Sequence, residues 1–167
     1  MAEPIDWELV YTQELSRVYN FFLYKSGDRE TAQDLTALTF ERAWRLRRRY
    51  RQDLSAIPTW LFGISRNVFK EHLRREKNAK QAEFSEEAGG YFDSEPEIED
   101  DIEKNQAKET LRKLLLELPD REAELIALKY GAELNNREIA KITGLSESNV
   151  GTLLHRTVKG LRERMEI

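Results

Sequence analysis

Asn135-Asn-Arg-Glu-Ile-Ala140-Lys-Ile-Thr-Gly144-Leu-Ser146-Glu-Ser-Asn-Val150-Gly-Thr-Leu-Leu-His155 is the stretch that decides the fold. Asn135 and Glu138 stand three apart, an Asn form of the capping box that starts a helix. Ile139, Ala140 and Ile142 give that helix an apolar side, and Gly144 ends it where a positive φ is cheap only for glycine. Ser146 is placed to cap a second helix that runs to about Met165. Ala140 falls where the two helices cross, and a larger side chain there would push them apart. Ile139, Leu145, Val150 and Leu153 supply the small core between them. Cap, small residue, glycine and apolar positions are thus in register for a helix-turn-helix. Asn149, Thr152, His155, Arg156 and Lys159, with Ser148, are left on or near the outer face of the second helix. Hydroxyl, amide and cationic groups there suit the base edges and phosphates of a major groove. Taken alone, this segment says DNA-binding module and no more.

Working outward, the rest of the chain is also helical. Leu111, Leu114, Leu115 and Leu118 predict an amphipathic helix stopped by Pro119. Asp120 is placed to cap the next, with Leu125, Ile126 and Leu128 facing inward and Gly131 closing its end. Near the N-terminus a first helix covers Trp7 to Lys25 and stops at Gly27. A second runs from about Asp28 to Arg49, with Ala32, Leu35, Leu38, Ala43 and Leu46 marking its buried face and Phe40 and Trp44 beside it. A third begins near Pro58, a residue suited to a first helical turn, and buries Trp60, Leu61, Ile64, Val68 and Leu73. No alternating pattern is long enough to build a sheet. The expectation is an all-α chain of two small helical domains.

The net charge of −4 conceals where the charge lies. Residues 1–82 carry 15 basic and 11 acidic side chains, and residues 105–167 carry 11 and 10. Residues 83–104 carry one lysine against ten acids. That acidic stretch holds Gly89, Gly90 and Pro96 and no sustained apolar period, which predicts a solvated linker between domains 1–82 and 105–167. Its 22 residues span at most ~75 Å at ~3.3–3.6 Å each, about two turns of duplex DNA at ~34–36 Å per turn.

Arg42, Arg45, Arg47, Arg48, Arg49 and Arg51 put six arginines in ten residues, with Tyr50 inside the run. Arg66, Lys70, Arg74, Arg75, Lys77 and Lys80 form a second basic stretch. Guanidinium planes beside an aromatic ring suit unstacked or single-stranded DNA; the plain alternative is a solvated helix face. Catalysis finds no support. There is no cysteine, and the two histidines, His72 and His155, lie in different domains, so neither a metal pair nor a triad is expected. There is no Walker-type or dinucleotide glycine loop, and no catalytic residue, metal or cofactor is expected. No run approaches the roughly 18 apolar residues of a membrane span, and Met1 to Trp7 lacks the regions of a signal peptide. A cytoplasmic protein without membrane insertion is the expectation.

With those residues in place, the chain resembles the extracytoplasmic-function sigma factors of bacterial RNA polymerase. Ala32-Gln-Asp-Leu-Thr-Ala-Leu-Thr-Phe-Glu-Arg-Ala-Trp44 resembles their second conserved region, and Thr59 to Arg75 its later subregions. Leu118 to Tyr130 and Arg137-Glu-Ile-Ala140 resemble the start of their C-terminal domain, and Ser146 to Arg162 its recognition helix. The resemblance implies a polymerase-core partner, met at the clamp helices of the largest subunit and at the flap, with promoter DNA as the second partner and an anti-sigma factor as a third class. Asp34, Leu35, Thr39, Glu41 and Arg42 would face the clamp. Tyr50, Arg51, Gln52, Asn67, Lys70, Arg74 and Arg75 would lie near the unwound strand of the proximal element. Thr152, His155 and Arg156 would contact the distal element. The acidic linker would thread toward the RNA path, its carboxylates standing in for RNA phosphates. The sequence departs from the family at Ala37-Leu38, where a Gln-Glu pair is frequent, at Gly63, where a basic residue is common, and at Gly151-Thr152-Leu153, which lacks two cations. The alternative is a helix-turn-helix regulator acting without polymerase core; residues 28–75, which such a protein does not need, discriminate. A protein-binding scaffold would leave the arginine tract unexplained.

Overall fold

The computed structural model describes residues 3–82 and 102–166. Seven α-helices account for most of them: α1 (Trp7–Ser26), α2 (Arg29–Leu46), α3 (Ile57–Ala82), α4 (Ile102–Glu117), α5 (Asp120–Ile126), α6 (Asn136–Thr143) and α7 (Glu147–Met165). A 3-10 turn over Arg47–Arg49 extends α2, and a π-helical turn over Ala127–Gly131 extends α5. No strand occurs among the described residues. Most of the acidic stretch expected as a linker, 83–101, lies outside them, and α4 begins at Ile102, inside the predicted boundary.

Local chemistry fixes the helix ends. Asp6 accepts from the Leu9 N–H at the start of α1, and Gly27, at φ 68°, closes it by donating to the Leu23 carbonyl. The Asp28 carboxylate then accepts from both the backbone N–H and the hydroxyl of Thr31, which starts α2. Those hydrogen bonds hold the Asp28 carboxyl below its ordinary value. The predicted capping box forms in full: Asn135 accepts from the Glu138 N–H, and the Glu138 carboxylate accepts from the Asn135 N–H. Gly144 adopts φ 80°, and Ser146 caps α7 through the Asn149 N–H. Asp120 differs from expectation. It is the first residue of α5, with Pro119 in the cap position and no side-chain cap bond.

The core runs without a break through both halves of the chain. In the N-terminal half Val18, Phe21 and Phe22 of α1 meet Ala32, Leu35 and Ala43 of α2 and Leu61, Phe62, Val68 and Phe69 of α3. Phe62 stacks edge-on to Phe21, which stacks edge-on to Phe22, which in turn lies near Phe69. In the C-terminal half Leu125, Leu128, Leu134, Ile139, Val150 and Leu154 are buried. Leu73, expected in the buried stripe of the third helix, is instead 41% exposed, and Trp44, expected beside the buried face of the second, is 54% exposed.

Candidate promoter and polymerase surfaces

On α2 the buried stripe is Ala32, Leu35, Thr36, Thr39 and Ala43. The Thr36 hydroxyl donates to the Ala32 carbonyl at 2.6 Å and the Thr39 hydroxyl to the Leu35 carbonyl at 2.8 Å. Both threonines thereby enter the core with their polar atoms satisfied, a local bond that side chains of this type make within helices. Leu35 and Thr39, expected at the clamp, are therefore core residues and present no surface to a partner. Asp34 and Glu41 do point to solvent. Arg42 is half-buried and makes a two-pronged bond to Glu71 of α3 at 3.1 and 2.8 Å, and this bond holds the Glu71 carboxyl below its ordinary value. Arg42 thus ties α2 to α3. Of the departing pair Ala37-Leu38, only Ala37 is exposed; Leu38 packs on the core. The outer stripe of α2 also carries Trp44, with the Arg47 guanidinium 3.7 Å above its ring. The sequence places Trp44 beside the buried face of this helix, and the structure turns it out to solvent.

The arginine run divides into engaged and open members. Arg45 pairs with Glu41, Arg47 also bonds the Trp44 carbonyl, and Arg51 grips Asp53 at 3.2 and 2.7 Å. Arg48 and Arg49 are exposed and have no partner among the described residues. Tyr50 is half-buried in a ring cluster, 6.1 Å from Trp7 and 5.1 Å from Trp60. Its hydroxyl donates to the Ser55 carbonyl at 2.8 Å, and burial pushes its pKa up. Tyr50 thus staples the loop from α2 to α3, while Arg51 and Gln52 stand exposed on it.

Along α3, Asn67, Lys70, Arg74 and Arg75 are all exposed. Gly63, Asn67, Lys70 and Arg74 follow the three- and four-residue spacing of one helix face. A side chain added at Gly63 would meet open space, so the missing basic residue leaves a gap at the head of this stripe. Arg66 turns the other way. It donates to the Ile142 carbonyl at 2.6 Å and pairs with Glu124 at 2.9 Å.

On α7, Asn149, Thr152, His155, Arg156 and Lys159 are exposed together, while Val150, Leu154 and Leu161 are buried behind them. The Thr152 hydroxyl donates to the Ser148 carbonyl; His155, Arg156 and Lys159 have no partner among the described residues. A Cβ at Gly151 would meet only the Asn136 amide nitrogen, at 3.6 Å. No close backbone approach accounts for this glycine. Gly151→Ala is therefore expected to raise stability by about 1 kcal/mol, the helix-propensity difference, and Tm by about 2–4 °C for a chain of this size. An unchanged or lower Tm in a thermal melt would count against it.

No helix among the described residues is long and apolar enough to cross a membrane, and no group of three or more ligating side chains is placed to hold a metal ion. The family described as Sigma-70 region 2 matches residues 10–79, and that described as Sigma-70, region 4 matches residues 108–161. ECF RNA polymerase sigma factor SigM of Bacillus subtilis is 32% identical over 154 residues, covering 92% of this chain and 91% of that protein. RNA polymerase sigma factor YlaC of the same species is 32% identical over 158 residues, covering 95% and 91%. Among solved structures, the sigma factor RpoE in complex with the anti-sigma factor NepR from Bartonella quintana superposes with a TM-score of 0.73 at 20% identity, over 97% of this chain and 98% of that one. Two sigma regions in order, on a helical chain matched over nearly its whole length, lead to one conclusion: the chain belongs to the extracytoplasmic-function sigma factors, which direct RNA polymerase to initiate transcription.

Proposed function

We propose that the chain divides this work between three surfaces, one on each of α2, α3 and α7. The outer stripe of α2, with Asp34, Glu41 and the exposed Trp44, meets the polymerase clamp, and Leu35, Thr39 and Arg42 hold that stripe in place from beneath. Asn67, Lys70, Arg74 and Arg75 on α3, with Arg51 and Gln52 on the stapled loop, take the unwound strand of the proximal element. Asn149, Thr152, His155, Arg156 and Lys159 read the distal element as duplex. Residues 1–82 and 105–167 are the corresponding functional domains, joined through the acidic stretch. The observation that carries this reading is that exposed cations without a partner among the described residues gather on α7, on α3 and at Arg48 and Arg49 beyond the end of α2, while the outer stripe of α2 itself presents Asp34 and Glu41. Such an arrangement performs recognition without bond chemistry, so no catalytic step is assigned, and the site of action is wherever polymerase meets DNA in the cytoplasm. An anti-sigma factor, as found with RpoE, would compete for the α2 stripe. The test is capture of polymerase core by the purified full chain, followed by run-off transcription. Core binding with promoter-dependent transcripts is expected. A chain that bound duplex DNA but never core would leave only the regulator acting alone.

A further inference from the structure

Between the first turns of α1 and the sides of α2 and α3 that face them lies a groove of about 530 Å³, within the ~300–1,000 Å³ range of small-molecule sites. Its walls are rings: Trp7 and Tyr11 of α1, Phe40 and Trp44 of α2, and Trp60 of α3. Tyr11 packs edge-on to Phe40 at 4.9 Å, and Trp7 lies 5.7 Å from Trp60, so the rings brace one another. Tyr11 and Trp44 are nevertheless exposed. Contiguous apolar surface left open to water marks a place where something binds.

The charge of the groove is as selective as its shape. Six arginines crowd the ten residues from Arg42 to Arg51, yet no basic side chain among the described residues lines the groove. The charged groups that do line it are Asp6 and Glu8. Asp6 caps α1 through the Leu9 N–H, and neither carboxylate pairs with a cation among the described residues. Aromatic faces attract cations through the ring quadrupole. Trp44 already holds one, the Arg47 guanidinium 3.7 Å above its ring, from outside the groove lining. A positive guest would thus meet ring faces and two carboxylates. A nucleotide could stack on the same rings, but its phosphate would face those carboxylates.

We propose that this groove is a binding site for a small organic cation, an ammonium carried on an aryl or alkyl body. The ammonium lies against the ring faces near Asp6 and Glu8, and the body fills the apolar remainder. Trp44 also belongs to the outer stripe of α2 assigned to the polymerase clamp, so an occupied groove leaves less of that stripe for core. The site itself rests on the groove alone; its effect on core rests on the α2 assignment above.

The chain's three tryptophans all line the groove, so the intrinsic fluorescence of the full chain reports on it directly. Benzyltrimethylammonium should change that fluorescence saturably, with a Kd of about 1 mM or tighter. Benzyl alcohol, with the same ring and no charge, and thymidine 5′-phosphate should both bind at least about tenfold more weakly. By calorimetry, Trp44→Leu and Glu8→Gln should each weaken the cation by about two- to fivefold. Glu163→Gln, an exposed acid of α7 outside the groove, should not. No saturation, equal binding of the alcohol or the nucleotide, or parental affinity in folded Trp44→Leu or Glu8→Gln would overturn the site. Saturating cation should also reduce capture of polymerase core by at least about threefold. Cation binding that met every other expectation without that loss would uphold the site and remove Trp44 from the clamp surface.

Discussion

Phe62→Ala is expected to lower the stability of the chain by about 3–5 kcal/mol, the range for truncating a buried phenylalanine. Phe62 is 0% exposed and sits on α3, with its ring centroid 5.7 Å from that of Phe21 at an interplanar angle of 78°. Phe21 in turn packs edge-on to Phe22 at 5.2 Å. Edge-to-face pairs contribute about 0.5–1.5 kcal/mol beyond area burial, and the loss here breaks the first link of a ring chain between α1 and α3. Against a total of roughly 5–15 kcal/mol, the variant would unfold near ambient temperature or well below the parent in urea. Leu73→Ala is the matched control. Leu73 is 41% exposed, so its truncation should stay within about 0.5 kcal/mol. A Phe62→Ala loss below that of Leu73→Ala would mean the ring chain does not hold the N-terminal half together.

That pair of residues also marks how far the sequence could be read. Helix ends were legible because their causes are local: Gly27, Asn135 with Glu138, Gly144 and Ser146 act on groups within three or four residues of themselves. Which face of each helix turns inward was less so. An apolar stripe drawn through α2 takes in Leu38 and Leu46, which are only half-buried, and passes over Thr36 and Thr39, because hydropathy cannot see that a threonine hydroxyl satisfied by the carbonyl four residues back is cheap to bury. Ser65 of α3 is buried in the same way, bonded to the Leu61 carbonyl, and it lies between Phe62 and Phe69, whose seven-residue spacing was the available signal. Contacts between distant segments left no mark at all. Gly131 reads as a helix stop, yet its main constraint is the backbone of Asn20, 111 positions away in the chain. Arg66 reads as one more cation of a basic stretch until Glu124 and Ile142 are seen to hold it.

Arg156→Ala is expected to weaken binding to a cognate promoter by about 1–3 kcal/mol, the range for one bidentate guanine contact. At about 1.4 kcal/mol per tenfold, that is from a few-fold to more than a hundredfold. The guanidinium is exposed, unpaired among the described residues, and carried on the face of α7 opposite Val150 and Leu154, so nothing in the fold competes for it and its removal should leave stability almost unchanged. With Gly151-Thr152-Leu153 supplying no cation one turn earlier, fewer charges share the load, which makes each remaining one matter more. Lys159, one turn further on, offers a contrast. A lysine on a phosphate would weaken cognate and scrambled duplexes alike and reduce the salt slope by about one. Holoenzyme binding to both duplexes across a salt series separates the two cases. Loss confined to the cognate duplex for Arg156→Ala, and uniform loss with a flatter salt dependence for Lys159→Ala, would assign base reading to the first and phosphate anchoring to the second. Unchanged cognate affinity in Arg156→Ala would remove α7 residue 156 from the promoter surface.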